Sequence, residues 1–135
     1  MKTSKKKYAT KKVAPGHITI KSLSEKRIIP LANIVLCAAD RSYTEVHLAN
    51  REILTVCGRI KLFEKKLNPK YFCRCHRSYT INLTYVENIV RDKKTGKWYF
   101  VTKCGDKLAE CSRRQKPKMI DIIEKFASEN PDFDN

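Results

Sequence analysis

The sequence is poor in several features at once. No run of 18 apolar residues occurs among its 135 positions, which excludes a membrane-spanning helix, and the lysine-rich start lacks the apolar segment of a secretory signal. A cytoplasmic chain with no membrane partner is expected. Glycines number only four and form no phosphate-cradling loop. The paired C-x2-4-C halves of a structural zinc site are missing, since Cys73-Arg74-Cys75-His76 supplies one half at most. On a regular strand Cys73 and Cys75 point to one face and His76 to the other. No paired acids stand near a nucleophile, and nothing supplies an oxyanion hole for a Cys-His pair. Neither an enzyme nor a metal or cofactor protein is expected. Acid is scarce as well: residues 1–16 contain six lysines and no Asp or Glu.

Positive charge is what the chain has in excess. Twenty-nine Lys and Arg stand against fourteen Asp and Glu, a net charge of +15, too large to be absorbed by internal ion pairs. Between residues 17 and 126 the balance is 23 basic to 11 acidic residues, or +12. The resulting field draws polyanions, whether nucleic acid, an anionic membrane face or acidic proteins, and charge alone does not choose among them. A surface that is charged merely for solubility is the bland alternative. The six cysteines lie inside apolar or strand-like runs, so reduced, buried thiols are expected.

A chain of this length suits one domain. Residues 1–16, lysine-rich and ending in Pro15-Gly16, read as a flexible basic arm, 17–126 as the folded domain, and 127–135 as a short acidic tail. Period-two alternation at Ile18/Ile20, Thr44/Val46/Leu48, Tyr79/Ile81/Leu83 and Trp98/Phe100 predicts strands, and Asn33 to Ala39 has the apolar run of a buried strand. Turn signals at Ala49-Asn50-Arg51, Thr95-Gly96 and Gly105-Asp106 make 85–92, 97–103 and 107–111 an antiparallel meander. Helical spacing occurs twice. Ile60, Phe63, Glu64 and Leu67 share a stripe within Arg59 to Leu67, and Met119, Ile122, Ile123 and Phe126 form one apolar face after Pro117. Each helix needs that face for docking on a sheet, so recognition residues are expected on strands or loops.

Three clusters have chemistry to offer. The densest is Arg74, His76, Arg77 and Ser78, where arginine forks suit guanine edges and phosphate oxygens and a serine hydroxyl suits phosphate; a polar strand end with His76 satisfied in the core reads equally well. Ser112-Arg113-Arg114-Gln115-Lys116 lies between the last strand and the last helix, where recognition residues are held by rigid elements, though a solvated charge run looks the same. Asp40-Arg41-Ser42-Tyr43 joins two predicted strands and is a weak signal taken singly. An RNA-binding or ribosome-associated basic β protein is the alternative, with Tyr71, Tyr79 and Trp98 as stacking platforms. A scaffold for acidic partners is a third reading.

The string from Phe72 to Leu83, followed by Val86-Glu87-Asn88-Ile89, resembles the signature F-x-R-x-H-R-S-[YF]-x-[VI]-N of the LytTR DNA-binding domain of bacterial response regulators. The similarity extends to Asn33-Ile34-Val35, to Tyr43 through Leu48 and to the closing Ser112-Arg113-Arg114, while Leu62, Leu67 and Phe72 match the family spacing approximately. The resemblance implies a mainly β fold of about ten short strands in antiparallel sheets with one or two short helices. It also implies transcriptional regulation through double-stranded DNA, with loops in successive major grooves, a bent duplex, and paired binding to direct repeats as a homodimer on DNA. Carried over residue by residue, the contacts fall on Arg41, Ser42 and Tyr43, on His76, Arg77 and Ser78, and on Ser112, Arg113 and Arg114. His76 either reaches phosphate or locks the loop, and Asn82 is structural. Family regulators usually carry a receiver domain ahead of this one, and the residues before 17 are too few to form it.

Overall fold

A computed structural model describes residues 2–3, 13–104 and 108–129. Eleven strands and two α-helices follow in chain order: β1 (Lys2–Thr3), β2 (His17–Lys21), β3 (Lys26–Pro30), β4 (Ile34–Asp40), β5 (Tyr43–Leu48), β6 (Ile53–Cys57), α1 (Ile60–Glu64), β7 (Phe72–His76), β8 (Tyr79–Asn82), β9 (Val86–Arg91), β10 (Trp98–Thr102), β11 (Leu108–Cys111) and α2 (Lys116–Glu129). One sheet has the order β6-β5-β4-β8-β7, a second β1-β9-β10-β11, and β2 and β3 pair on their own. Every pairing is antiparallel. The mainly β architecture expected from the period-two segments is the one observed.

Alternation sets the core. In β5, Thr44, Val46 and Leu48 are buried while their neighbours are not, whereas β4 starts with four consecutive buried residues, Ile34 to Cys37, so both faces of the sheet are covered there. Phe100, Ile34, Leu36, Ile81 and Met119 are among the largest fully buried side chains, each contributing about 1.5–3 kcal/mol by leaving water. The helix α2 closes the core with Met119, Ile123 and Phe126, the last packed edge-on to Tyr71 with centroids 5.9 Å apart.

Several expectations shift. The first helix is shorter than 59–67: after Glu64 the chain is tied by tighter bonds, Lys66 N–H to Phe63 O and Leu67 N–H to Glu64 O. Pro69 disfavours αR geometry at Asn68, and the Asn68 carboxamide accepts the Lys70 N–H at 3.0 Å to make a turn. Leu83 is not in a strand but opens a 3-10 turn (Leu83–Tyr85) capped by Asn82, whose Oδ1 accepts the Thr84 N–H at 3.0 Å and the Thr84 hydroxyl at 2.8 Å. Asn82 is fully buried and donates to Ile34 O at 2.9 Å, the structural role expected of it. A register shift between Arg74 and His76 breaks the simple alternation of β7, so that Phe72 and Cys75 are its buried residues.

The ends differ too. Ala14 is buried and the Gly16 carbonyl accepts the Leu31 N–H, so the folded part starts before residue 17. Lys2–Thr3 pairs with the edge of β9; the rest of the basic arm up to residue 12 lies outside the described residues. At the other terminus α2 continues through Glu129 with Ala127 buried, because Ala127 extends the Met119/Ile123/Phe126 stripe; the remaining tail, like the Gly105-Asp106 turn, lies outside the described residues. No disulfide joins the cysteines, and Cys37, Cys75 and Cys111 are buried. Cys57 is exposed, contrary to expectation, because it ends an edge strand whose outward residues are Ile53 and Cys57. Among the described residues no helix is long and apolar enough to cross a membrane.

Candidate nucleic-acid interface

Topology brings the three sequence clusters to one edge. The β4–β5 turn (Arg41-Ser42) and the β7–β8 turn (Arg77-Ser78) lie at the same end of the five-stranded sheet, and β4 pairs with both β5 and β8. The Ala39 N–H donates to Ser78 O at 2.8 Å and ties the two turns together. The third segment joins through the Ser112 N–H, which donates to Cys75 O at 3.0 Å where β7 ends. On the far side the Gly58 N–H donates to Ser42 O at 2.9 Å, and the Thr44 hydroxyl donates to Gly58 O at 2.9 Å. The order along the edge is Gly58-Arg59, Arg41-Ser42, Arg77-Ser78, Ser112 to Arg114. At about 4.8 Å per strand, the five-stranded part of this row is roughly 20 Å long.

Each turn is built to hold an outward group. Arg41 adopts φ 58°, a left-handed conformation unusual for a side-chain-bearing residue and a common mark of functional turns; Arg41, Ser42 and Tyr43 are all exposed. In the second turn the two arginines of the motif part company. Arg74 is turned inward on the molecule: Nε donates to His76 O at 2.9 Å, Nη2 to Arg77 O, and Nη1 to Glu64 Oε1 at 3.0 Å. Thr80 donates to the other Glu64 oxygen at 3.2 Å. Arg77 is exposed, and its guanidinium has no hydrogen bond or ion pair with a described residue. His76 Nδ1 accepts the Ser78 N–H at 3.0 Å, so the neutral ring carries its proton on Nε2, which faces Glu110 at 3.6 Å. His76 therefore locks the turn. In the third segment the Ser112 hydroxyl accepts the Gln115 N–H at 3.1 Å, capping the chain as it enters α2.

Arg74, His76, Arg77, Ser112, Arg114 and Gln115 line one surface hollow. Arg114 thus faces Arg77, whereas Arg113, one residue earlier, lines a different hollow with Gly96, Lys97 and Trp98. The predicted residues are gathered on one side with this one exception. Arg59 was not singled out in the sequence; it is exposed beside the Arg41 turn, and only the β5–β6 pairing puts it there. Arg74, which the sequence placed in the densest cluster with a binding and a structural reading both open, takes the structural one through its internal partners.

The stacking platforms of the RNA reading are largely occupied. Tyr71 is buried against Phe126, Tyr79 is half-buried against His76, and Lys116 Nζ lies 3.8 Å from the centroid of the Trp98 ring. The thiols near the turns are poor nucleophiles: burial pushes Cys75 up, and burial pushes Cys111 up to about 12. Among the described residues no three His, Cys, Asp or Glu side chains are grouped to hold a metal.

The profile of the LytTr DNA-binding domain matches residues 24–124. The transcriptional regulatory protein LytR of Staphylococcus aureus is 35% identical over 57 residues, covering 42% of this chain and 23% of that protein. YpdB, a transcriptional regulatory protein of Escherichia coli, is 36% identical over 73 residues, 53% of this chain and 30% of that protein. The chain thus spans less than a third of the curated relatives it matches. A solved LytTr DNA-binding domain from Bacillus cereus superposes with a TM-score of 0.66 at 19% identity, covering 82% of this chain and 98% of that one, and shows the same fold. The profile takes in all three turns and the strands that align them, and on that extent the chain belongs to the LytTr DNA-binding domain family.

Proposed function

We propose that this chain binds double-stranded DNA with sequence preference and so regulates transcription, without catalysis of its own and in the cytoplasm. Arg77 and Arg114 read base edges from turns that enter successive major grooves, and Arg41, Ser42, Tyr43 and Ser78 fix the register on phosphates. Two copies occupy direct repeats. One observation carries the reading: exposed guanidinium groups from three sequence-distant segments stand on one edge of a rigid sheet, and those of Arg41, Arg77 and Arg114 have no acidic partner among the described residues. Unpaired arginine at the ends of strands suits a polyanion with readable edges better than it suits solubility.

Selecting duplexes from a random pool yields the preferred site and the repeat spacing. Titration of that site against scrambled DNA then tests the reading groups. Arg77→Ala and Arg114→Ala are each expected to lose about 1–3 kcal/mol of discrimination. Unchanged preference in both variants, or equal affinity of the parent protein for all duplexes, overturns the proposal.

A further inference from the structure

The divergence of Arg113 from Arg114 leaves a second cationic group of residues that base reading does not use. Arg91, Trp98 and Cys111 are register partners across β9, β10 and β11, so this end of the second sheet lies level with Ser112. The β9–β10 turn closes on Gly96 at φ +74°, its N–H donating to Asp92 O at 2.7 Å. A Cβ added to Gly96 would sit 3.5 Å from Arg91 Nη2 and 3.6 Å from Arg113 Nη2. Two guanidinium groups from distant parts of the chain therefore bracket one glycine, and both residues are exposed. Like charges held together repel unless an anion joins them.

The nearby acids are engaged elsewhere. Asp92 Oδ1 accepts the Lys94 N–H at 2.9 Å, and the Glu110 carboxylate, which borders the hollow, lies 3.6 Å from His76 Nε2. Neither Arg91 nor Arg113 forms an ion pair with a described residue. Lys97 lines the same hollow, and Lys116 is held nearby over the Trp98 ring. The absence of a side chain at residue 96 leaves both forks open to one small tetrahedral anion, with charge-assisted contacts of about 2.8 Å to different oxygens.

We infer that Arg91 and Arg113, across Gly96, clamp a single backbone phosphate of the bound duplex, just past the Arg114 end of the reading row. The inference rests on the DNA-binding reading above and adds to it a sequence-independent anchor on the β9–β10 turn. Arg113 holds position while Arg114 reads, so adjacent residues serve different parts of the nucleic acid.

The test uses the full chain and its selected duplex in anisotropy titrations over a salt series. Arg91→Ala and Arg113→Ala are each expected to weaken binding roughly tenfold, equally for selected and scrambled DNA. Each should also make the log–log salt slope shallower by about 0.9, one phosphate. Because both arginines hold the same phosphate, the double variant is expected to bind much more tightly than the product of the two losses requires. A scan of single neutral methylphosphonates should find one flanking position that weakens the parent protein but not the double variant. Arg91→Lys and Arg113→Lys, which keep the charge, serve where an alanine variant fails to fold, and should retain most of the slope while losing part of the affinity. Parent-like affinity and slope in the alanine variants, or in the double variant if the singles do not fold, overturn the clamp while leaving site preference intact. Loss of preference at unchanged slope places these arginines among the reading groups and overturns it equally. Failure of the DNA-binding reading is distinct, because the parent protein would then not distinguish the duplexes at all.

Discussion

Arg74 decides what the neighbouring turn can do although its own guanidinium points back into the protein. Its fork holds the carbonyls of His76 and Arg77 and the Glu64 carboxylate at once, so the backbone that presents Arg77 is fixed from behind. Arg74→Ala is expected to cost about 1–2 kcal/mol of stability, the upper part of that range being reduced by partial exposure, and to lower sequence preference with no change in salt slope. Urea unfolding and titration at two salt concentrations measure both. A preference equal to that of the parent protein would mean that the turn holds itself. Arg74→Lys keeps the charge without the fork and should recover little of the preference. In the sequence Arg74 and Arg77 looked alike, because the motif shows composition and order but not the bonds to His76, Arg77 and Glu64 that hold one guanidinium and leave the other exposed.

At the scale of elements, whatever depended on a local period was legible. The strands around Val46, Ile81 and Phe100 and the apolar face of α2 are where alternation and helical spacing put them. Element ends were less so, because they are set by bonds between residues that no period marks, such as the Asn82 cap that turns Leu83 out of a strand. The start of α1 is one such end. Gly58, at φ +116°, immediately precedes the N-cap Arg59 and exchanges bonds with Ser42 and Thr44, so it steadies the Arg41 turn where the helix is entered. A Cβ there meets nothing within 4 Å, so any effect of Gly58→Ala is conformational rather than steric. The variant should lose about 1 kcal/mol or more, and proton exchange at the Gly58-Ser42 amide bond should speed up while exchange in β9 and β10 stays the same. Parent-like stability would show that the left-handed conformation is not required.

For the molecule as a whole, the neighbourhood of the clusters was the hidden part. Three segments separated by tens of residues are adjacent because β4 pairs with β5 on one side and β8 on the other, and because the Ser112 N–H bonds to Cys75 O at the end of β7, and no local signal states which strands pair. The same packing buries thiols, and that has a measurable effect. Burial pushes Cys37 from an ordinary 9.0 up to about 12, helped by Glu64, and burial likewise raises Cys111 to about 12. Above pH 9 the unfolded chain releases thiol protons that the folded chain retains, so stability is complete below that pH and falls as pH rises toward 12. Each such thiol contributes at most about 1.4 kcal/mol per pH unit. Urea unfolding between pH 8 and 10.5 should therefore show a flatter decline in Cys37→Ala than in the parent protein, and identical slopes would refute the assignment. The edge formed by the turns has a consequence of another kind. Interstrand hydrogen bonds keep neighbouring strands about 4.8 Å apart whatever their exposed residues are, which sets the β4–β5 and β7–β8 turns roughly two such spacings, about 10 Å, from each other. Under the DNA-binding function proposed above, side chains at 77 and 114 are interchangeable letters on a frame held by other bonds, and a chain built this way would change the text it recognises without refolding.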